Sequence, residues 1–503
     1  MSRVLLASLL CAASIASAAL PEVIQTDAGQ VSGIAGRDPS VRVFRGIPYG
    51  APPVGENRWR APQPVAKWDG VRKADTFSPG CANGLPTAGG GKGKGPASSE
   101  DCLYLNIWTA ATSAGDKRPV IVWNYGGGFT VGNGASTGFD GEALARKGAI
   151  VITYNYRLGH FGYLAHPELT KESGKNASGN YGMMDLVTVL RWVQKNITAF
   201  GGDPNRVTIN GESAGAILVS SLVGSPEAKG LFHRAISQSG AWMGLGIAKL
   251  TPRQRVEEAA VKAVGNTTLA QLRAMSVEQL SQTLRGVPTT LVVDGYMIPE
   301  DLSSTFAQGK QNKVDILVGS NLDEGTFFGP APAPDAFKSQ MEQRFGELMP
   351  DFLKLYPAAN AEETQRSYLT RTRDEVGWHM RTWARFQTRA GKKAYVYYFT
   401  RISPGAGPRG ATHGAEIPYM FGNPPMSGWN DVDTKLSDQM TSYWANFAAT
   451  GDPNGKNLPS WQAYDQKKND GKAMVLGDTA AMGAQIDAER LRFFDTAYAR
   501  QQR

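Results

Sequence analysis

The sequence predicts an α/β fold with a central, mostly parallel sheet flanked by helices. From Leu103 to Gly240, apolar strand-like runs alternate with helical stretches, and this alternation is typical of a doubly wound parallel sheet. The stretch from Met183 to Ala199 is predicted to be an amphipathic helix packed on that sheet, because apolar residues recur at steps of four, three and four: Leu186, Leu190, Val193 and Ile197. Before these elements, Glu22 to Gly46 consists of short strand-like runs separated by turn residues, which predicts a small N-terminal antiparallel sheet.

The five residues Gly211-Glu-Ser-Ala-Gly215 are the strongest functional signal in the chain. They follow the strand-like run from Arg206 to Asn210 and precede a helical start at Ala216. A strand, a G-x-S-x-G pattern and a helix in that order form a nucleophile elbow, a sharp turn that exposes the serine hydroxyl. The pattern alone also fits a structural turn, since the chain has 58 glycines. It nevertheless predicts a serine hydrolase with Ser213 as the nucleophile.

A second signal is the glycine run Gly126-Gly-Gly-Phe129, which directly follows the apolar run from Val120 to Asn124. Glycines at the end of a strand can turn unshielded backbone N–H groups toward a developing negative charge, and so can Ala214 after the elbow serine. The alternative interpretation is an ordinary flexible loop. Together with the elbow, the run predicts an oxyanion hole.

The general base is sought among five histidines: His160, His166, His233, His379 and His413. The usual chain order in this kind of enzyme is Ser, acid, His, which excludes the two histidines that precede Ser213. His233 follows Ser213 too closely to leave room for an acid-bearing strand, and His379 lies in a helix-like stretch. His413 remains, in a loop after the strand-like run from Ala394 to Thr400.

The acid must lie between Ser213 and His413, after a strand. The run from Val314 to Gly319 is such a strand, and Ser320-Asn-Leu-Asp-Glu-Gly325 is the loop that follows it. Asp323 and Glu324 are both candidates, and spacing alone does not separate them.

At this point the sequence resembles the type B carboxylesterases, a family that includes cholinesterases and many bacterial and fungal esterases and lipases. The resemblance covers nearly the whole mature chain. The segments that carry it, besides the elbow, include Phe44 to Pro53, Ser99 to Asn106, Asn155 to Gly159, Asp323 to Gly325, His413 to Gly422 and Asn446 to Asn454.

The resemblance implies an α/β-hydrolase fold and the role of each site residue. The acid of the Ser-Glu-His triad falls on Glu324, and the oxyanion donors fall on Gly127, Gly128 and Ala214. Glu212 and Ser239 match positions that hydrogen-bond around the triad in relatives, although both also fit ordinary turn residues.

The resemblance also implies that residues 19–503 form a single catalytic domain. Two charged, helix-like segments at about 251–285 and 335–391 are predicted to be insertions that form a lid or wall over the site. Trp242, Phe327 and Phe328 are candidates for the substrate pocket, although aromatic residues near a core are more often ordinary packing.

The N-terminus predicts secretion. Arg3, the apolar run from Val4 to Ile15 and the small residues Ala16-Ser-Ala18 form a signal peptide spanning residues 1–18, and the run is too short for a membrane span. Its removal leaves Cys81 and Cys102, which are predicted to pair in an oxidising compartment, either extracellular or periplasmic.

Charge and motif content exclude several classes of function. The formal net charge of +8 is spread along the chain without a block of five like charges, which argues against nucleic-acid binding. The sequence has no H-E-x-x-H motif and no close His/Cys cluster, so we expect no metal and no cofactor. The oligomeric state is left open.

We therefore expect hydrolysis of a small-molecule carboxylic ester through an acyl-enzyme intermediate. Two alternatives remain at this stage: a catalytically inactive binding module on the same scaffold, and a serine amidase or peptidase of the same fold.

Overall fold

A computed structural model of the protein describes residues 20–83, 98–241, 243, 250–424 and 428–501. The predicted signal peptide at residues 1–18 and the predicted pocket residue Trp242 lie outside this described part.

The strands are β1 (Val23–Gln25), β2 (Gln30–Ser32), β3 (Ile34–Ala35), β4 (Arg42–Pro48), β5 (Val71–Lys73), β6 (Gly80–Cys81), β7 (Ser98–Ser99), β8 (Tyr104–Thr109), β9 (Arg118–Asn124), β10 (Ile150–Tyr154), β11 (Gly202–Glu212), β12 (Arg234–Gln238), β13 (Thr251–Pro252), β14 (Val292–Val293), β15 (Asp315–Asn321), β16 (Ala394–Phe399), β17 (Lys472–Leu476) and β18 (Ala480–Ala484).

The helices are α1 (Glu142–Arg146), α2 (Gly159–Tyr163), α3 (Pro167–Glu172), α4 (Tyr181–Asn196), α5 (Ala214–Gly224), α6 (Arg253–Val264), α7 (Leu269–Ala274), α8 (Val277–Thr283), α9 (Leu302–Ala307), α10 (Pro334–Phe345), α11 (Met349–Leu355), α12 (Ala361–Arg389), α13 (Ile417–Phe421), α14 (Asp431–Thr450) and α15 (Ala488–Gln501).

The predicted parallel sheet is present. Strands β10, β9, β11, β12, β15, β16 and β17 lie side by side and run parallel, while antiparallel strands complete both edges of this eleven-stranded sheet. The central strands are apolar on both faces, and Val120, Ile121 and Val122 of β9 are all buried. Strands covered on both faces are expected where helices pack on each side of a parallel sheet.

The amphipathic helix predicted for Met183 to Ala199 corresponds to α4, which begins two residues earlier and is followed by a 3-10 turn at Ile197–Phe200. A buried ion pair fixes α4 on the sheet: the Arg157 guanidinium, just after β10, lies 2.7 Å from the Asp185 carboxylate. The turn after β10 and the N-terminal part of α4 are therefore held together.

The N-terminal region differs in detail from the predicted antiparallel sheet. Strands β1 and β2 are antiparallel as predicted, but β5 joins β2 in parallel. Strands β3 and β4 continue instead into the edge of the main sheet, where β4 pairs with β8. Because β8 lies about sixty residues further along the chain than β4, no local sequence signal indicates this pairing.

The two segments predicted as helical insertions are helical. Residues 251–285 contain α6, α7 and α8, and residues 335–391 contain nearly all of α10 together with α11 and α12. The predicted bridge between Cys81 and Cys102 is formed, with their Cα atoms 5.0 Å apart. None of the helices in the described part of the chain combines the length and apolar character that a bilayer-spanning helix requires.

Candidate active site

Ser213 lies at the turn between β11 and α5, with φ 56° and ψ −124°. This backbone conformation is strained for a residue with a side chain and is typical of functional turns. The flanking glycines are required sterically, since a Cβ on Gly211 would lie 2.6 Å from Gly215 and one on Gly215 would lie 1.9 Å from the Asn124 oxygen. The Ser213 N–H donates to the Gln238 carbonyl at 2.9 Å, which anchors the turn to β12.

The predicted oxyanion loop follows β9, the neighbour of β11 in the sheet. A Cβ on Gly126 would lie 2.9 Å from that of Ser213, so only glycine allows the loop to approach the elbow this closely. Gly127 and Gly128 have φ values of 110° and 60°, and the Gly127 carbonyl accepts hydrogen bonds from Thr130 and Val131 at 3.1 Å.

Three backbone donors are available beside the elbow. The N–H groups of Gly127 and Gly128 form no hydrogen bond with any described residue. Ala214 is the first residue of α5, so its N–H has no partner within the helix. The arrangement can therefore offer N–H groups to a negatively charged oxygen.

His413 lies between β16 and α13, and its side chain is only 7% exposed. Its Nδ1 donates to Glu324 Oε2 at 2.6 Å. Glu324 begins the 3-10 turn after β15 and is fully buried, and its Oε1 accepts the Asn321 N–H at 2.8 Å. The Glu324 carboxylate therefore fixes both the position of the ring and the protonated state of Nδ1.

Asp323, the other candidate acid, has a different contact. Its Oδ2 accepts the Ala411 N–H at 2.8 Å, and its backbone forms a bridge with Thr412. Asp323 therefore holds the loop that carries His413, while Glu324 contacts the imidazole.

The second ring nitrogen of His413 faces the elbow. Nε2 lies 3.2 Å from Glu212 Oε1, and Glu212 directly precedes Ser213 in the chain. Among the described residues, no hydrogen bond joins the Ser213 hydroxyl to this nitrogen. Ser239 lies at the end of β12 with its hydroxyl buried and without a hydrogen-bond partner in the described part of the chain.

A third glutamate, Glu416, completes the cluster and has no role in the sequence-based prediction. It is fully buried and accepts hydrogen bonds from the side chains of Gln238 at 3.1 Å and Asn321 at 2.5 Å. The one available signal was its position three residues after His413, within the otherwise uncharged segment Gly414 to Gly422.

Burial and charge shift the pKa values of this cluster. Burial raises the pKa of Glu212 to about 8, with His413 opposing the shift and the carboxylates of Glu416 and Glu324 adding to it. Burial lowers the pKa of His413, but the carboxylates of Glu212 and Glu324 outweigh this effect and raise it to about 10. The site thus favours a positive charge on the imidazole.

Phe327 and Phe328 form the exposed side of the site. Their ring centroids lie 5.0 Å and 5.8 Å from that of His413, and the residues are 58% and 54% exposed. The described residues contain no group of three or more His, Cys, Asp or Glu side chains that could hold a metal ion.

A model of the carboxylesterase family matches residues 21–494 of this chain. The chain belongs to this family.

Known relatives of this carboxylesterase match it over almost its whole length. It is 35% identical to fumonisin B1 esterase of Sphingopyxis macrogoltabida, over 93% of this chain and 90% of the relative. It is 34% identical to carboxylesterase 1E of Mus musculus, over 96% of this chain and 94% of the relative.

Among solved structures, a PNB esterase matches with a TM-score of 0.80 and 29% identity, over 94% of this chain and 99% of that chain. A thermophilic PNB esterase matches with a TM-score of 0.81 over the same shares. The protein is therefore a carboxylic ester hydrolase with the α/β-hydrolase fold, as the sequence predicts.

Proposed function

We propose that this carboxylesterase is a secreted serine esterase that forms an acyl-enzyme through the triad of Ser213, His413 and Glu324. The observation that carries the proposal is the 2.6 Å hydrogen bond from His413 Nδ1 to Glu324, beside a serine held in a strained elbow. A serine, a histidine and an oriented acid in loops that follow parallel strands of one sheet are the parts that acyl transfer needs.

In the proposed reaction, His413 Nε2 takes the hydroxyl proton while Ser213 Oγ attacks the ester carbonyl. The carbonyl oxygen becomes an oxyanion, which accepts hydrogen bonds from the N–H groups of Gly127, Gly128 and Ala214. His413 then gives the proton to the departing alcohol, and the acyl group remains on Ser213. Water repeats the sequence, with His413 again as the base, and releases the carboxylic acid.

The free enzyme must change one contact before this chemistry begins. His413 Nε2 contacts Glu212 at 3.2 Å, and the same nitrogen must accept a hydrogen bond from Ser213. Catalytic hydrogen bonds often tighten only when substrate binds. We propose that an ester carbonyl seated in the oxyanion loop brings the Ser213 hydroxyl to Nε2.

Glu212 and Glu416 act on the base rather than on the ester in this proposal. Their carboxylates lie in the same buried cluster and favour the imidazolium, which is the form His413 takes while each tetrahedral intermediate exists. Ser239 is proposed to take part in this network as a hydroxyl next to the elbow.

The test is covalent labelling with an organophosphate, combined with the variant Ser213→Ala. The wild type should lose activity and gain one phosphoryl group on Ser213, as read by peptide mass spectrometry. The variant should fold normally, take up no label and lose ester hydrolysis by on the order of 10⁴- to 10⁶-fold.

Retained turnover in the folded Ser213→Ala variant would disprove the proposed nucleophile. An unlabelled, inactive wild type would instead support a binding module on the same scaffold. Secretion is tested separately, because the mature protein should begin after Ala18 when it is recovered from the periplasm or the medium.

A further inference from the structure

Two buried tyrosines lie at the base of the oxyanion loop and contact each other. Tyr125 follows the last residue of β9 and directly precedes the three glycines. Tyr156 lies two residues beyond the end of β10, the strand next to β9 in the sheet. The two rings are stacked, with their centroids 4.4 Å apart and their planes tilted by 21°. The pair therefore connects the ends of two parallel strands at the point where the loop begins.

The hydroxyl group of each tyrosine bonds to the backbone of the other. Tyr156 Oη donates to the Tyr125 carbonyl at 2.8 Å. Tyr125 Oη accepts the Tyr156 N–H at 3.3 Å and lies 3.5 Å from the Tyr156 carbonyl. Burial raises the pKa of both hydroxyls, so both are protonated at neutral pH and can donate. Because a peptide unit is planar, holding the Tyr125 carbonyl also fixes the direction of the Gly126 N–H.

The Tyr125 carbonyl oxygen also borders the nucleophile elbow. A Cβ added to Gly215 would lie 2.8 Å from this oxygen, so the start of α5 packs closely against it. Among the described residues, no group other than the Tyr156 hydroxyl donates to it. The same oxygen is therefore in contact with the elbow and bonded to Tyr156.

The Tyr125 ring supports the other end of the oxyanion loop. A Cβ on Gly132 would lie 2.5 Å from Cδ2 of this ring, so Gly132 packs directly on it. Between the two ends, the Gly127 carbonyl accepts the N–H groups of Thr130 and Val131 at 3.1 Å, which closes residues 127–131 into a turn. Tyr125 thus positions both ends of the loop.

We propose that Tyr156 is a positioning residue for the oxyanion loop and acts through Tyr125, an inference that rests on the proposed function. Its ring and hydroxyl hold Tyr125, which in turn holds the loop that offers the N–H groups of Gly127 and Gly128 to the oxyanion. Donors stabilise a developing charge most when their positions are fixed before the reaction. Tyr156 is fully buried and contacts no substrate, so it affects the reaction only through the backbone of the loop.

The test is Tyr156→Phe, which keeps the stacked ring and removes the hydrogen bond to the Tyr125 carbonyl. For methyl hexanoate, kcat should fall about ten-fold, less than the roughly 10²- to 10³-fold cost of losing a whole oxyanion donor. KM should stay within about two-fold, because the loss falls on the transition state. The acidic limb of kcat/KM should stay in place, since Tyr156 is not among the groups that shift the pKa of His413.

A thionoester distinguishes an effect on the oxyanion donors from a general loss of active enzyme. In O-methyl hexanethioate, sulphur replaces the carbonyl oxygen, and sulphur accepts hydrogen bonds only weakly. Hydrolysis of this substrate should therefore depend less on well-placed N–H groups. In Tyr156→Phe, the ratio of kcat/KM for methyl hexanoate to kcat/KM for the thionoester should fall about five-fold or more. A variant that only lost folded protein would lose both activities equally.

Tyr163→Phe is the matched control. Tyr163 is the last residue of α2, is fully buried, and its ring contacts that of Phe129 in the oxyanion loop. Its hydroxyl has no hydrogen-bond partner within the described part of the chain. The substitution removes the same atom from a neighbouring tyrosine and should leave kcat and the substrate ratio unchanged.

Tyr125→Phe is a second test variant, and it keeps the inference testable if Tyr156→Phe does not fold. It retains the carbonyl that Tyr156 holds and removes only the contacts of Tyr125 Oη at 3.3 Å and 3.5 Å. Its kcat should fall about three-fold, within the cost of one weak hydrogen bond. The ester-to-thionoester ratio should fall with it.

A folded Tyr156→Phe variant with the wild-type kcat would overturn the inference, and so would a loss that is equal for the ester and the thionoester. If Tyr156→Phe does not fold, an unchanged ratio in Tyr125→Phe would overturn it. These results leave the proposed esterase intact, because the wild type still hydrolyses methyl hexanoate and Ser213→Ala does not. A wild type that hydrolyses no ester would instead overturn the proposed function, and the inference with it.

Discussion

The proposed base, His413, and the mouth of the candidate site, formed by Phe327 and Phe328, are built in opposite ways. Around His413, three glutamates are almost entirely removed from solvent, and each has named hydrogen-bond or ionic partners. At the mouth, Phe327 and Phe328 are more than half exposed. A charge in the interior interacts strongly with its neighbours, whereas one at the surface is screened by water.

We therefore expect the buried residues to govern the chemistry and the exposed residues to govern the choice of substrate. Substitutions in the buried cluster should change kcat and its pH dependence by large factors, because each carboxylate there acts through low dielectric. Substitutions at the mouth should change KM and selectivity by small factors and should leave the pH profile alone.

The largest effect is expected for Glu324→Gln. The Glu324 carboxylate accepts the Nδ1–H of His413, and its loss removes both the orientation of the ring and the stabilisation of the imidazolium. We expect kcat to fall on the order of 10³- to 10⁴-fold, with the melting temperature measured alongside.

Asp323→Asn is the matched control for that variant. Asp323 contacts the Ala411 N–H, and an asparagine oxygen can still accept this hydrogen bond. Its kcat should fall less than ten-fold, within the cost of one weakened hydrogen bond. The opposite ranking of the two variants would transfer the acid role to Asp323.

A smaller effect, on pH dependence, is expected for Glu212→Gln. The Glu212 carboxylate lies 3.2 Å from Nε2 and is one of the charges that raise the pKa of His413 to about 10. The base works only when neutral, so activity in the wild type should be lost on acidification at a higher pH than for an ordinary imidazole. Removing the carboxylate should move the acidic limb of kcat/KM down by about one pH unit or more.

The control for this prediction is again Asp323→Asn, because Asp323 is not among the charges that shift the pKa of His413. Its acidic limb should coincide with that of the wild type. A Glu212→Gln limb that stays in place, or moves to higher pH, would show that Glu212 does not tune the base.

The sequence predicted those parts of the site that depend on local sterics. Gly211 and Gly215 flank Ser213 because a Cβ at either position would collide with neighbouring backbone, so the elbow is readable from five residues. The choice between Asp323 and Glu324 was left open by spacing, because both carboxylates follow the same strand. The resemblance to a family implies Glu324, and in the structure the Glu324 carboxylate contacts His413 while that of Asp323 contacts Ala411.

Features that depend on distant partners were not predictable in this way. In the sequence, the one signal for Glu416 is its place in an uncharged segment after His413, and only the folded chain shows it buried against Asn321 and Gln238. The pairing of β4 with β8 likewise depends on segments far apart in the chain. No local pattern carries such information.

The smallest effect is expected at the apolar side of the mouth, from Phe327→Ala and Phe328→Ala. Each ring lies tilted beside the His413 imidazole and is more than half exposed, so an alcohol group that binds there would bury part of the ring's area. Losing about 1 kcal/mol of that burial should raise KM roughly five-fold for benzyl or hexyl esters and change it little for methyl esters.

Because both rings are exposed, the melting temperature and the pH profile of these variants should match those of the wild type. Val261→Ala, which truncates a 44% exposed side chain on α6, is the control for loss of surface apolar area. A large fall in kcat for methyl esters, or a shifted acidic limb, would show that the rings support the base itself. Phe327 and Phe328 would then act on the catalytic step itself, and their role would not be limited to selecting the substrate.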